Sequence, residues 1–129
     1  MPNKRPANYS VLPPKLPKKP KRSSRWRSSA HRKFVREHAC CNCGGTAALE
    51  FAHLRMESGA GMGEKPDDWL GTVLCHDCHN DQHTTGEPTF WERYSRNHNQ
   101  TVWDLIEAFC KASPKANEIR QAKRERELG

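Results

Sequence analysis

Between residues 46 and 54 the chain reads TAALEFAHL, and its large side chains alternate: Leu49, Phe51 and His53 fall on one face of an extended segment. A second apolar run, WLGTVL at 69–74, reads as another strand, paired antiparallel with the first. The 55–68 stretch between them, RMESGAGMGEKPDD, is a loop on its Gly, Pro and Asp content. Helical spacing surrounds this pair. SAHRKFVREH at 29–38 predicts a short helix with Ser28 or Ser29 as N-cap and Ala30, Phe34 and Val35 on its buried side. A second helix is predicted from about Cys78 to Thr84, closed by Gly86 and Pro88. TFWERYSRN at 89–97 opens on a Thr89–Glu92 capping box, and TVWDLIEAFCKA at 101–112 repeats the device with Thr101 and Asp104. In that last helix Val102, Leu105, Ile106, Phe109 and Cys110 make one apolar stripe, which is ordinary core packing. Together these elements predict an α+β fold.

Charge divides the chain unevenly. Residues 1–36 contain twelve Lys or Arg and no Asp or Glu, whereas 37–129 hold ten basic and all fifteen acidic residues, a net of −5. Prolines at 13, 14, 17 and 20 forbid a regular helix, and the segment has little to bury. The expected organisation is a disordered basic arm over 1–28, one domain over 29–113, and a charged tail over 114–129 that is a frayed helix or disordered. Cations on such an arm bind phosphate by releasing counterions, which makes Lys18, Lys19, Lys21, Arg22, Arg25 and Arg27 candidate nucleic-acid contacts. Arg55 and Lys65, flanking the glycine-bearing loop, are further candidates. That loop lacks the G-x-x-x-x-G-K-[ST] pattern of a nucleotide phosphate loop, so its glycines would either let backbone approach a DNA strand or form an ordinary surface loop. The chain has no apolar run that could span a bilayer and no apolar signal segment, so a cytoplasmic location and no membrane partner are expected.

Six cysteines in such a compartment favour metal over disulfides. Cys40-x-x-Cys43 and Cys75-x-x-Cys78 are two knuckles, and four thiolates satisfy tetrahedral zinc with no open position. Zinc there would clamp the start of the first strand to the end of the second. Cys41 is left over, and Cys110 belongs to the apolar stripe. A second cluster is made of histidines. His79 and His83, four apart, project from one helical face, and His76 either joins them or points into solvent. His53, at the end of the first strand, is expected to converge on the pair and complete a hydrolytic metal site. Asp77 and Asp81 would lie on the opposite helix face.

The order CCNCG, LEFAHLR, SGAGMGEKP, TVLCHDCHNDQH resembles the HNH, or ββα-metal, endonucleases, in particular the small phage and prophage Ref-like and YbcO-like group, over residues 29–95. The resemblance implies a small ββα-metal domain with flanking helices that cleaves DNA phosphodiester bonds to 5′-phosphate and 3′-hydroxyl ends. It makes His53 the general base, His79 and His83 ligands of a catalytic divalent ion (Mg2+, Mn2+, Ni2+, Co2+ or Zn2+), and the four knuckle cysteines a structural zinc site. DNA is the implied partner, with a recombination or packaging protein as a second. Two positions depart from the family pattern: Ala52 stands where a metal-binding Asp or His is usual, and the central Asn would fall at Leu70, with Trp69 and Gly71 beside it. A zinc-knuckle nucleic-acid-binding module without catalysis is the alternative reading. A RING-type interaction domain is disfavoured, since it needs about eight ligands in two interleaved zinc sites and leaves the basic arm no role.

Overall fold

In the computed structural model, residues 11–17, 25–61 and 63–128 are described. The element order is α1 (Ser29–Arg36), β1 (Leu49–His53), β2 (Gly71–Cys75), α2 (His76–Thr85), α3 (Glu87–His98), α4 (Val102–Ala112) and α5 (Ala116–Leu128). This is a small α+β fold, with one two-stranded antiparallel sheet and five helices among the described residues.

The two strands pair from Leu49 opposite Cys75 to His53 opposite Gly71. Both are narrower than the apolar pattern suggests. Ala48 adopts a positive φ of 52°, which ends the extended run before β1. Ahead of β2, a turn joins Leu70 N–H to the Asp67 carbonyl at 3.0 Å, so that Leu70 keeps only its carbonyl for the neighbouring strand, accepting from Leu54 N–H at 2.8 Å. Trp69 is buried, stacked on Trp26 with ring centroids 5.8 Å apart.

β2 is covered on both faces. Leu74 joins a cluster with Ala52, Leu54, Phe90, Trp91 and Tyr94, while Val73 packs with Val35 and Phe109 on the other side. Alternation of side chains along a strand produces this split. Gly71 leaves room for the Phe51 ring, which lies across it: an added Cβ would come 2.0 Å from Phe51 Cζ and force the ring to move.

The helices differ from their sequence patterns mainly at their ends. Ser28 Oγ caps α1 by accepting from His31 N–H at 3.1 Å. The buried residues of α1 are His31 and Val35; Ala30 is exposed and Phe34 half-buried. His31 Nδ1 meets Ser113 Oγ at 2.8 Å, while its Nε2 is buried without a hydrogen-bond partner among the described residues.

α2 begins at His76, two residues before the expected start, because the Cys75 side chain serves as its N-cap. Gly86, at φ 96°, ends α2 and serves as N-cap of α3. Pro88 therefore opens α3 rather than closing α2, since a first helical turn has no use for its missing N–H. The Thr89–Glu92 capping box does not form, because Thr89 already lies inside α3. The Thr101–Asp104 box does form, with both reciprocal bonds present.

The tail takes one of the two forms expected of it, a helix, and the base of the basic arm is ordered. The charged tail is a helix docked on the domain through Ile119, which is 1% exposed, and through Arg126, which donates to Asp67 Oδ1 at 2.8 Å. At the other end, the basic arm expected over 1–28 is anchored from Arg25 onward. Trp26 N–H donates to Asp67 Oδ1 at 2.7 Å and Ser28 N–H to Asp68 Oδ2 at 2.8 Å. No helix among the described residues is long and apolar enough to cross a membrane.

Candidate metal centre and basic cavity

Cys40 and Cys43 flank the turn after α1, while Cys75 and Cys78 straddle the β2–α2 junction. The β1–β2 register brings these segments together, and all four Sγ atoms lie within 4.8 Å of one another. Cys43 Sγ and Cys75 Sγ are 3.8 Å apart. Sulfurs in a tetrahedron around zinc at about 2.3 Å would be about 3.8 Å apart, so this cluster could hold such a metal.

Donors around the sulfurs support an anionic set. Asn42 Nδ2 approaches Cys78 Sγ at 3.4 Å, Gly45 N–H approaches Cys43 Sγ at 3.4 Å, and Cys78 N–H approaches Cys75 Sγ at 3.5 Å. Burial opposes ionisation of Cys40, but backbone N–H groups of Cys43, Cys75 and Asn42 bring its thiol down to about 7. Cys78 is pushed up to about 12 by burial and by the neighbouring sulfurs. One thiolate is easy and the later ones are costly until a cation neutralises them. Cys41 stays outside the group, its thiol raised by burial to about 11. Cys110 is buried against the Trp69 carbonyl, as its place in the apolar stripe predicts.

The histidines divide between two places. Phe51 and His53 share the strand face turned toward α1: their rings are 4.9 Å apart, and the Phe51 ring lies 6.5 Å from that of His31. Glu50 projects from the opposite face, toward α2, where its carboxylate takes His79 Nδ1 at 2.9 Å and His76 Nδ1 at 3.1 Å. His79 and His83 do form one stripe, with ring centroids 4.7 Å apart. The expected convergence of three imidazoles is therefore corrected. Strand alternation turns His53 away from α2, and among the described residues only the four cysteines bring three or more donor atoms together.

His53 instead meets a carboxylate that the composition of the 55–68 loop hid. Its Nε2 lies 2.8 Å from Asp68 Oδ1, and Asp68 is completely buried. Burial raises the Asp68 pKa, but His53, the Ser28 N–H and Arg32 outweigh it and hold the carboxyl at about 2. His53 and Asp68 line a cavity of about 610 Å3 together with Arg27, Arg32, Arg36, Leu49, Glu50, Phe51 and Lys65. Four cations face two carboxylates there, so the cavity favours an anion. Glu50 both lines this cavity and touches His79, so the cavity wall and the histidine pair meet at β1, whose only sheet neighbour among the described residues is β2.

The predicted phosphate contacts fare differently. Lys18, Lys19, Lys21 and Arg22 lie outside the described residues. Arg25 is occupied within the protein, donating to Glu64, Asp67 and the carbonyls of Ser58 and Gly59. Arg55 likewise donates to the carbonyls of Gly61 and Glu64. These two guanidiniums tether the glycine-bearing loop. Arg27 is partly committed, to Asp68 and the carbonyls of Lys65 and Pro66, but it also lines the cavity with Lys65. Arg32, Arg36, Glu50 and Asp68 were not expected at the site. The available sequence signal for the arginines was their spacing of four on α1, which puts both on one helical face.

Comparison with known proteins agrees in extent with this architecture but assigns no activity. No curated protein and no solved structure matches the chain. One family profile does, over residues 11–110, which include the knuckles, both strands and the cavity. With well over half of its length inside that match, the chain belongs to the family described as protein of unknown function DUF968.

Proposed function

We propose that this protein is a metal-dependent endonuclease of the HNH, ββα-metal kind that hydrolyses DNA phosphodiester bonds. The observation that carries this reading is the His53–Asp68 pair in a cavity walled by Arg27, Arg32, Arg36 and Lys65.

Hydrolysis of a phosphodiester needs three things: a base for water, cations for the charge gathered at phosphorus, and help for the departing oxygen. Asp68, ionised throughout the neutral range, can only accept a hydrogen bond, so the proton it holds sits on His53 Nε2. His53 Nδ1 is then the nitrogen that takes a proton from water. The arrangement fixes tautomer and ring orientation together. Arg36 and Lys65, whose side chains have no carboxylate partner among the described residues, are the cations free to hold a phosphate; Arg32 and Arg27 are shared with Asp68. A divalent ion held by His79 and His83 would supply Lewis acidity toward the scissile phosphate. His79 and His83 would be its protein ligands, with Ala52 offering none where a third is usual. The four-cysteine cluster, filled by zinc, would hold β1 against the start of α2.

The test is incubation of the purified protein with supercoiled plasmid across a panel of Mg2+, Mn2+, Ni2+, Co2+ and Zn2+. Nicking or linearisation that disappears in His53→Ala, with the fold intact by circular dichroism, is the expected result. Tight DNA binding without cleavage under every ion would sink the enzyme and leave a nucleic-acid-binding zinc module.

A further inference from the structure

Glu50 was assigned no role by sequence pattern, yet it is the side chain that joins the cavity to α2. Its two carboxylate oxygens are taken by different rings, Oε1 by His79 Nδ1 at 2.9 Å and Oε2 by His76 Nδ1 at 3.1 Å. A glutamate side chain is a carboxylate at neutral pH, so both oxygens are acceptors. A carboxylate has no hydrogen to give, so each Nδ1 must carry the proton.

The outer nitrogens then differ. His76 Nε2 faces the Asn80 amide at 3.2 Å and accepts from it. His79 has no second hydrogen-bond partner among the described residues, and its ring lies 4.7 Å from that of His83. One imidazole is thus closed off and the other is left with a bare lone pair beside a second imidazole.

We propose that Glu50 is a positioning residue for a divalent-cation site on α2: it locks His79 in the Nδ1–H tautomer, so that Nε2 of His79 and the His83 ring share one ion. His76 is the far anchor of the same carboxylate and is not a ligand. This deepens the nuclease reading and rests on it for the identity of the site, but its physical content is a tautomer and an affinity. Metal-binding imidazoles are oriented in this way by a carboxylate on the other nitrogen, and loss of such a partner weakens binding by roughly 10–100-fold. The arrangement also accounts for the position of Glu50. It lies two residues before Ala52 on the same strand face, where it reaches α2 one turn before His83.

The experiment uses the full chain with the cysteine site loaded by stoichiometric Zn2+. Nitrogen-15 shifts of the His79 ring are recorded without further metal, and Ni2+ is then titrated calorimetrically into the parent, Glu50→Gln, His76→Ala and His79→Ala proteins. The expected results are an Nδ1–H tautomer at His79 in the parent, one Ni2+ bound, a loss of roughly 10–100-fold in Ni2+ affinity for Glu50→Gln, at least as large a loss for His79→Ala, and unchanged affinity for His76→Ala. Retention of the zinc in every variant shows that the fold has survived. An Nε2–H tautomer in the parent, no Ni2+ bound by the parent, or a Glu50→Gln protein that binds Ni2+ as the parent does would each overturn the proposal. Tight, Glu50-dependent Ni2+ binding without plasmid cleavage would uphold it while removing the nuclease reading.

Discussion

Asp68 shows how much one side chain can decide. It is buried, yet it binds His53, the Ser28 N–H, Arg32 and Arg27, so it serves the cavity and the α1 N-terminus at once. Its folded pKa, about 2, is below the ordinary carboxylate value near 3.9. A group depressed in this way stabilises the fold above the unfolded pKa, and its contribution falls away as pH drops from about 4 toward 2. By linkage that contribution is roughly 2–3 kcal/mol. Denaturant melts at pH 7, 4 and 3 should show the parent losing about half of that by pH 3, roughly 1 kcal/mol, with most of the loss between pH 4 and 3, and Asp68→Asn should flatten the dependence. Asp68→Asn should also reduce plasmid cleavage by at least about tenfold, because an amide no longer fixes the His53 proton; an unchanged rate would remove Asp68 from the proposed machinery. The sequence made His53 conspicuous and left Asp68 hidden. A histidine ending an alternating strand stands out, whereas an aspartate in a Gly- and Pro-bearing loop resembles any solvated turn until packing buries it.

At the scale of elements, the knuckles carry the most. Each pair spans a turn, and the two turns meet only because β1 and β2 pair in the observed register. Cys75 has two duties, as a member of the thiolate group and as the cap of α2. Cys75→Ser keeps a capping oxygen but removes a ligand, so it separates the two: elemental analysis should show zinc lost and thermal melts a large fall in Tm. Zinc bound in full by Cys75→Ser would refute the four-thiolate assignment. The glycine opposite His53 is a second point of control. Gly71→Ala would drive the Phe51 ring aside, and Phe51 packs edge-on against His53. The expected result is a loss of roughly 1–3 kcal/mol in denaturant melts from overpacking, with weakened cleavage.

For the whole molecule, the element order was legible and the connections between the ends were not. The two strands, the antiparallel pairing, α1, α2, α3 and α4 follow from apolar spacing and turn residues, and the four-cysteine group follows from the x-x spacing of its knuckles. The docking of α5 does not. Its sequence alternates charge and offers two large apolar residues, Leu128, which stays exposed, and Ile119, whose burial depends on a surface built by α4 and the core. Ile119→Ala should cost roughly 2–5 kcal/mol, measurable in urea melts; a cost within error would mean that the helix does not dock. Arg126 and Trp26 reach Asp67 from opposite ends of the chain, so the tail and the base of the basic arm are tied to the same loop that supplies Asp68.

What the amino-acid order determined by itself is local: periodicity, caps, the biting distance of each Cys-x-x-Cys, and a helical His pair, all set within a few residues by backbone geometry. What only tertiary structure decided is which face of β1 meets which helix. Alternation sends His53 toward α1 and its arginines and Glu50 toward α2 and its histidines, so the expected single three-histidine centre becomes two neighbouring features joined through Glu50. The physical reason is that pKa, tautomer and burial depend on partners brought together across tens of residues, and no local spacing records those partners.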